Sequence, residues 1–465
     1  MSAPILELFW DLAEVDDAKR VSAAAALCST LATQQAAHTG DGACSDLSYT
    51  VRRLVRGLAS SRDGARQGFG AALIEVLRAF SDHVDLDGVL KVMEDAMALH
   101  GSMDGAEERD AIFGRCFTCA SIVRSGRLAS MSASARGSIA AKLAKELAAC
   151  SAKKSFLHEL CAVLQCELLE ALPSSEIQTA VWPHISAGLA PPLAEWSAGA
   201  LLIALRLGRL LKHATLAALL PHVTLKNGSL LHMANLASLV GPLKTASLVH
   251  PRLHAVWDEL VELLGAGRDG RDPAPPTPAA APSGKKGKKG KSGGGGAAAE
   301  PLANGPSTDE AAPRNGGGGG GDVALLRGFW QTVVEEALVP STLERKFMCF
   351  ELLQRALPAL SAAQVPLLLS PALLRCLVNA LEGSDRMLRP AATKTLKALA
   401  ASAESSPPLR VALVSGLLGR GRGGEYDRTA STKALRLLLS QGTPAATFDV
   451  AARRGGLLGG GHLHV

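Results

Sequence analysis

The sequence predicts an all-α protein, and within that class an irregular α-solenoid of HEAT/armadillo-like helical repeats interrupted by a long disordered linker. Three observations lead there. Apolar residues make up 47% of the 465-residue chain but aromatics only 4%, so alanine and leucine must fill the core. That balance suits closely packed helices better than sheets, which favour aromatic and β-branched residues. Apolar residues also recur at helical spacing in runs of about 12 to 20 residues between short Gly, Ser or charged turns, as in arrays of about 40–47 residues per unit. Finally, no strand-period run of any length competes with them. The units share little identity with one another, so the array is irregular; a compact helical bundle is the other architecture this pattern allows.

Residues 5–37 hold two helices, the second alanine-rich and starting at Asp16 or Asp17. A polar loop, Thr39 to Ser45, leads into Tyr49–Phe80, a pair of helices about a tight turn. Val51, Leu54, Val55 and Leu58 form the first stripe, and Phe69, Leu73, Val76, Leu77 and Phe80 the second, with Ser60 or Ser61 placed to cap the second helix. Neither helix buries its stripe alone, so the pair needs neighbours stacked on it. Helices follow near 85–100, 107–124, 132–150 and 155–172, and Pro173-Ser174-Ser175-Glu176 starts another with a serine cap. Further helices near 192–212, 213–220, 229–240 and 252–264 complete a first block, residues 1–267. Its most apolar segment, Gly199–Leu220, is broken by Arg206, Arg209, Lys212 and His213, which favours a buried helix pair over a membrane span. Glu7 and Asp11 interrupt the short apolar stretch at the N-terminus, so it is not read as a signal peptide.

Residues 268–321 break the pattern: a proline-rich stretch, a KKGKKGK run and two glycine runs cannot bury a core and read as disordered. Helices resume at Val323–Leu338 and continue near 342–357, 361–369, 371–383, 387–402, 408–418 and 428–440, a second helical-repeat block over 322–450. Residues 451–465 form an irregular tail without helix or cap, which reads as a chain broken off from a longer protein. Of the formal charge of +6, half sits in 268–321, and the rest of the chain is nearly balanced. Net charge therefore gives little support to an extended nucleic-acid-binding face.

The candidate sites are few. Arg52, Arg53, Arg56, Arg62 and Arg66 crowd the turn of the opening pair. Guanidinium forks suit phosphate oxygens or an acidic partner. They suit equally Asp46, Asp63, Glu75 and the last carbonyls of the first helix, and this structural pairing is the favoured reading. Lys285, Lys286, Lys288, Lys289 and Lys291 fit a nuclear localisation signal, or a solvated linker kept open by charge. Nine cysteines follow no framework, which suits a reducing compartment; Cys28, Cys161 and Cys376 lie on apolar stripes. Cys116 and Cys119 have the spacing of a zinc or redox pair, but no second pair exists and their flanks read as core. His83–Glu94 approaches a calcium loop, yet His83 stands where a carboxylate is required, so a turn capped by Asp85 or Asp87 explains it better. No Walker loop, GxSxG or HExxH occurs. Asp85 and Asp87 are the close carboxylate pair weighed for two-metal catalysis, and they lie in that turn. No metal, cofactor, small-molecule substrate or catalytic residue is expected.

The arginine-rich stretch Tyr49–Phe80 resembles the signature near the N-terminus of the DNA polymerase V, or DNA polymerase phi, family (Myb-binding protein 1A-like). Six further stretches match in the same order: Phe9-Trp10-Asp11, Gly114–Leu128, Lys153-Lys154-Ser155-Phe156, His250–Trp257, Glu344–Leu360 and Leu374–Asn379. The resemblance implies a nuclear, nucleolar scaffold acting in ribosomal RNA gene transcription and ribosome biogenesis, with nucleolar or transcription-factor proteins and ribosomal DNA as partners. It also implies a longer chain with acidic and then basic tails. The alternatives are a DNA-directed DNA polymerase, as the family name suggests, and a general HEAT-type adaptor.

Overall fold

The computed structural model describes residues 3–246, 253–265, 318–361, 364–407, 409–411 and 413. Among them all regular structure is helical, apart from one isolated bridge between Lys226 and Ser229. In chain order come α1 (Ala3–Asp11), α2 (Asp17–Ala36), α3 (Ser45–Gly57), α4 (Asp63–Ala79), α5 (Leu86–Ala96), α6 (Gly105–Arg124), α7 (Ala133–Lys153) and α8 (His158–Glu170). A short α9 (Ser174–Glu176) passes through a π-helical turn, Ile177–Val181, into α10 (Trp182–Leu189). Then follow α11 (Ala198–Leu210), α12 (His213–Leu219), α13 (Leu236–Lys244) and α14 (Val256–Gly265). After the undescribed residues, α15 (Gly318–Phe329) continues as a π-helix, Trp330–Leu338, and α16 (Leu343–Ala356), α17 (Pro371–Glu382) and α18 (Leu388–Ser405) close the described chain.

Short polar side chains start these helices by satisfying backbone N–H groups that have no partner within the helix. Asp16, Asp85, Ser132, Ser197 and Ser370 each cap the helix that follows, and Asp104 with Glu107 forms a reciprocal capping box on α6. Two expected caps are not made. Arg62, not Ser60 or Ser61, occupies the cap position of α4, and the Ser60 hydroxyl instead accepts the Arg62 N–H at 3.2 Å inside the turn. Ser174 turns away from α9 and donates its hydroxyl to the Leu210 carbonyl at 2.9 Å, tying the chain to α11.

Each described helix packs on others within about three places of it in the chain. α3 and α4 pack together, α4 packs on α2 and α6, α6 on α7 and α8, α8 on α11, α11 on α14, and α14 on α16. The stripes read in the opening pair are all buried. Helix α11 is buried along most of its length, and no described helix is long and apolar enough to cross a membrane. The helices either side of residues 266–317 pack directly on one another. Trp257, Leu260 and Leu264 of α14 line one apolar space with Phe329, Trp330 and Leu352, and Gly265 lies under the Ala359 carbonyl. α15 begins at Gly318, inside the stretch read as linker. The rest of 268–321, the predicted helix at 428–440 and the tail 451–465 lie outside the described residues, as does most of 408–418.

Charged forks tie the edges of neighbouring helices. Arg115 of α6 grips Glu146 of α7 at 2.5 and 2.7 Å, and Arg124 of α6 grips Glu167 of α8 at 2.8 Å through both nitrogens. Arg136 of α7 holds Glu176 of α9. Glu259 of α14, with its side chain 2% exposed, takes both Arg206 and Arg209 from successive turns of α11, at 2.5 and 3.0 Å. Burial alone would raise the Glu146 carboxyl, but the Arg115 fork outweighs it and holds the group below its ordinary range. A carboxyl depressed on folding contributes stability that is present above its unfolded pKa and lost as pH falls through the folded value. Urea titrations from neutral pH down through pH 4.5, the ordinary value for this carboxyl, should show wild type losing stability more steeply than Glu146→Gln. Equal slopes would mean that the fork does not couple to folding.

The closest backbone approaches fall at glycines. A Cβ on Gly68 of α4 would stand 1.8 Å from the Leu12 carbonyl oxygen, whereas one on Gly137 of α7 would meet nothing within 4 Å. Gly68→Ala should therefore destabilise by about 1–3 kcal/mol as the turn after α1 is forced off α4. Gly137→Ala should stabilise by about 0.5–1 kcal/mol through helix propensity. Denaturant midpoints of the two variants, shifted in opposite directions, check the contact.

Candidate interaction surface

The turn between α3 and α4 is built by close packing. Gly57 near the end of α3 has no side chain, and the Phe69 ring of α4 fills the space, 2.4 Å from where a Cβ would stand. The two helices can therefore cross tightly with both stripes inward, leaving the arginines to divide between the seam and the outside.

Arg66 goes to the seam. Its side chain is 13% exposed, donates to the Ser60 carbonyl at 2.7 Å, pairs with Asp63 and stands 3.8 Å from Asp110 of α6. Its guanidinium also lies over the Phe113 ring, 5.2 Å from the centroid, where the ring quadrupole attracts a cation. Arg66 thus fastens the turn to α6, as the structural reading expects. Arg52, Arg53, Arg56 and Arg62 do not follow. All four are exposed, and none makes an ion pair with a described residue. Glu75, an expected partner, pairs with Arg78 at 2.7 Å instead, because those two stand one turn apart on α4. Arg53 lies 6.0 Å above the centroid of the Phe9 ring, so its one specific contact is with α1.

A groove of about 470 Å³ runs between α4 and α6, with Ile74, Phe113 and Phe117 along it and Arg66 and Arg124 at its edge. Both arginines are already held, by Asp63 and by Glu167. The groove therefore offers apolar surface with little unspent charge, and the outward face of α3 offers the reverse.

The other candidates resolve into structure. Cys116 and Cys119 are buried on α6, with the Cys116 sulfur 3.8 Å from that of Cys161 on α8. Hydrogen bonding with Cys150 and Cys161, then burial, push the Cys116 thiol far up, so it stays protonated. Among the described residues no three His, Cys, Asp or Glu side chains are grouped to hold a metal ion. Asp85 accepts the Gly88 N–H at 2.8 Å as the cap of α5, and Asp87 pairs with Lys142 of α7 at 2.6 Å. The five lysines of Lys285–Lys291 lie outside the described residues.

On α1, Leu6 is 45% and Trp10 73% exposed, one helical turn apart and off the buried Ile5–Phe9–Leu12 stripe. Their spacing was visible in the sequence, as an apolar i, i+4 pair displaced from the main stripe.

Comparison with known proteins supplies a lineage. The sequence profile of the family described as DNA polymerase phi matches residues 49–451. The chain is 26% identical over 440 residues to the rDNA transcriptional regulator pol5 of Schizosaccharomyces pombe, covering 93% of this chain and 40% of that protein. It is 31% identical over 127 residues to Myb-binding protein 1A of Mus musculus, covering 27% of this chain and 9% of the relative. The chain thus spans less than half the length of the curated relatives it matches. An engineered protein of known crystal structure aligns with 95% of this chain and 99% of its own at 14% identity, but a TM-score of 0.19 carries no argument about the fold.

The split among the arginines has a measurable consequence. Arg66→Ala removes a half-buried guanidinium and leaves the Ser60 carbonyl and Asp63 without it, a loss of roughly 1–3 kcal/mol. Arg56→Ala touches only solvent and should stay within roughly 0.5 kcal/mol of wild type. Equal losses in urea denaturation would place Arg56 in the fold rather than on the surface.

Proposed function

The chain belongs to the DNA polymerase phi family, and from that premise we propose that it is a non-catalytic scaffold regulating ribosomal RNA gene transcription in the nucleolus and contributing to ribosome biogenesis. The observation that carries this reading is the alignment of 93% of the chain with a protein named as a regulator of rDNA transcription. The name of a second relative, Myb-binding protein 1A, supports transcription-factor proteins as partners. Ribosomal DNA is the further partner, held directly or through those proteins.

The architecture supports a scaffold. Helices that pack mainly on near neighbours in the chain fit an irregular α-solenoid of the HEAT or armadillo kind, whose extended faces bind without catalytic groups. The reading against polymerase chemistry draws on Asp85 and Asp87, the carboxylate pair weighed for metal binding: one caps a helix and the other pairs with a lysine. Nuclear entry is assigned to the lysine run Lys285–Lys291, and the two helical blocks are treated as one scaffold carrying that segment between them.

The test is made in cells of the source organism. Depletion should change the synthesis of pulse-labelled ribosomal RNA precursor, with restoration by the re-expressed chain, and chromatin immunoprecipitation should find the protein enriched on ribosomal DNA. Unchanged precursor synthesis together with occupancy no higher than at unrelated genes would overturn the proposal.

A further inference from the structure

We infer that the outer edge formed by α1 and α3 is a docking surface for an acidic amphipathic helix of a partner protein, anchored on Leu6 and Trp10 and flanked by Arg52, Arg53 and Arg56. The inference deepens the scaffold reading by naming the chemistry of one partner.

The argument begins with the geometry of α1. Ile5, Phe9 and Leu12 face inward. At 100° per residue, Asp11 falls on the flank opposite Leu6 and Trp10. Asp11 pairs with Lys19 of α2 at 3.2 Å, so the Leu6–Trp10 flank is turned away from α2. On the other side Phe9 meets Tyr49 of α3 edge-on with centroids 6.3 Å apart, and Arg53 covers the same ring. The apolar pair therefore borders the seam where α1 meets the arginine face of α3. Leu6 and Trp10 expose 45% and 73% of their surface there, a cost for a soluble edge unless something covers them.

Charge decides what covers them. Arginines elsewhere in the array, such as Arg66, Arg115, Arg124 and Arg136, are spent on carboxylates, whereas Arg52, Arg53 and Arg56 have no ion-pair partner among the described residues. An incoming helix with leucine or phenylalanine at i and i+4 can lie along Leu6 and Trp10 and present glutamates to the three guanidiniums. Opposed charges would then steer the encounter and fix its direction. A nucleic-acid strand fits less well, because Leu6 and Trp10 form an apolar pair one turn apart that a leucine-bearing helix covers and a phosphate backbone does not.

The experiment uses the full chain and a fluorescent synthetic peptide of about 18 residues, roughly five helical turns, with leucine and phenylalanine on one face and glutamate on the other. A scrambled peptide of the same composition, a single-stranded RNA and a duplex DNA are the comparison probes. Fluorescence anisotropy should show binding of the amphipathic peptide in preference to the scrambled one. Trp10→Ala and the double variant Arg52→Glu/Arg56→Glu should each weaken it about tenfold or more, while melting curves stay at wild type because these side chains are exposed. Equal binding of both peptides, or wild-type affinity in both variants, overturns the inference. So does tight nucleic-acid binding that is lost with the arginines but indifferent to Trp10, which would make the edge a phosphate contact. The assay involves neither ribosomal DNA nor precursor synthesis, so its failure and the failure of the scaffold reading are told apart.

Discussion

Among the described residues no helix hides its apolar stripe unaided; the cover comes from helices nearby in sequence, and everything else adapts to that. An alanine-leucine stripe presents a shallow surface, so the cover must come close. Close approach explains why backbone meets backbone where Gly68 passes Leu12 and Gly241 passes Ala194, and why Phe69 lies across Gly57. It also explains the forks at the rims. Once two helices are drawn together, carboxylates and guanidiniums at their edges are partly stripped of water, and a bidentate pair offsets that loss where a lone charge could not. Arg206 and Arg209 meeting on the buried Glu259 is the extreme case: sliding α11 along α14 would leave a carboxylate desolvated and unmatched.

The same logic sorts the arginines of the opening pair. Arg66 lies where three helices converge and finds a carbonyl, a carboxylate and a ring there. Arg52 and Arg56 stand on the opposite side of α3 from Leu47, Leu54 and Leu58, on a face that the described helices leave exposed. Residue type is identical in the two places; what differs is whether another layer arrives. Water is then the only solvent the outer arginines have from within this fold.

How much of this was legible in the sequence depends on the range of the signal. Stripes such as Val51–Leu58 and Phe69–Phe80, and caps such as Asp85 and Ser132, are local, and periodicity exposes them directly. The family relationship was legible too, from short motifs kept in order. The caps of α4 and α9 were misplaced because Ser60 and Ser174 each had a second bond on offer, to the Arg62 N–H within the turn and to the Leu210 carbonyl across the fold. Ion-pair partners were harder still. Arg115 with Glu146 and Arg206 with Glu259 are separated by 31 and 53 residues, and nothing in spacing alone selects them from the other acids. For the same reason the arginine cluster read as one feature in sequence and became two in space.

The contact between α14 and α16 has a consequence in time. Because helices near in sequence are mostly near in space, the described fold can assemble behind the ribosome almost as fast as it is made. At Gly265 that order is broken, since the next described helix lining the space beside Trp257, Leu260 and Leu264 begins at Gly318. At ordinary rates of translation the intervening roughly fifty residues take about 3–10 s to synthesise. Throughout that interval a tryptophan-bearing apolar face lacks the helices that will close it. During synthesis, such a face is a surface for a chaperone to shelter.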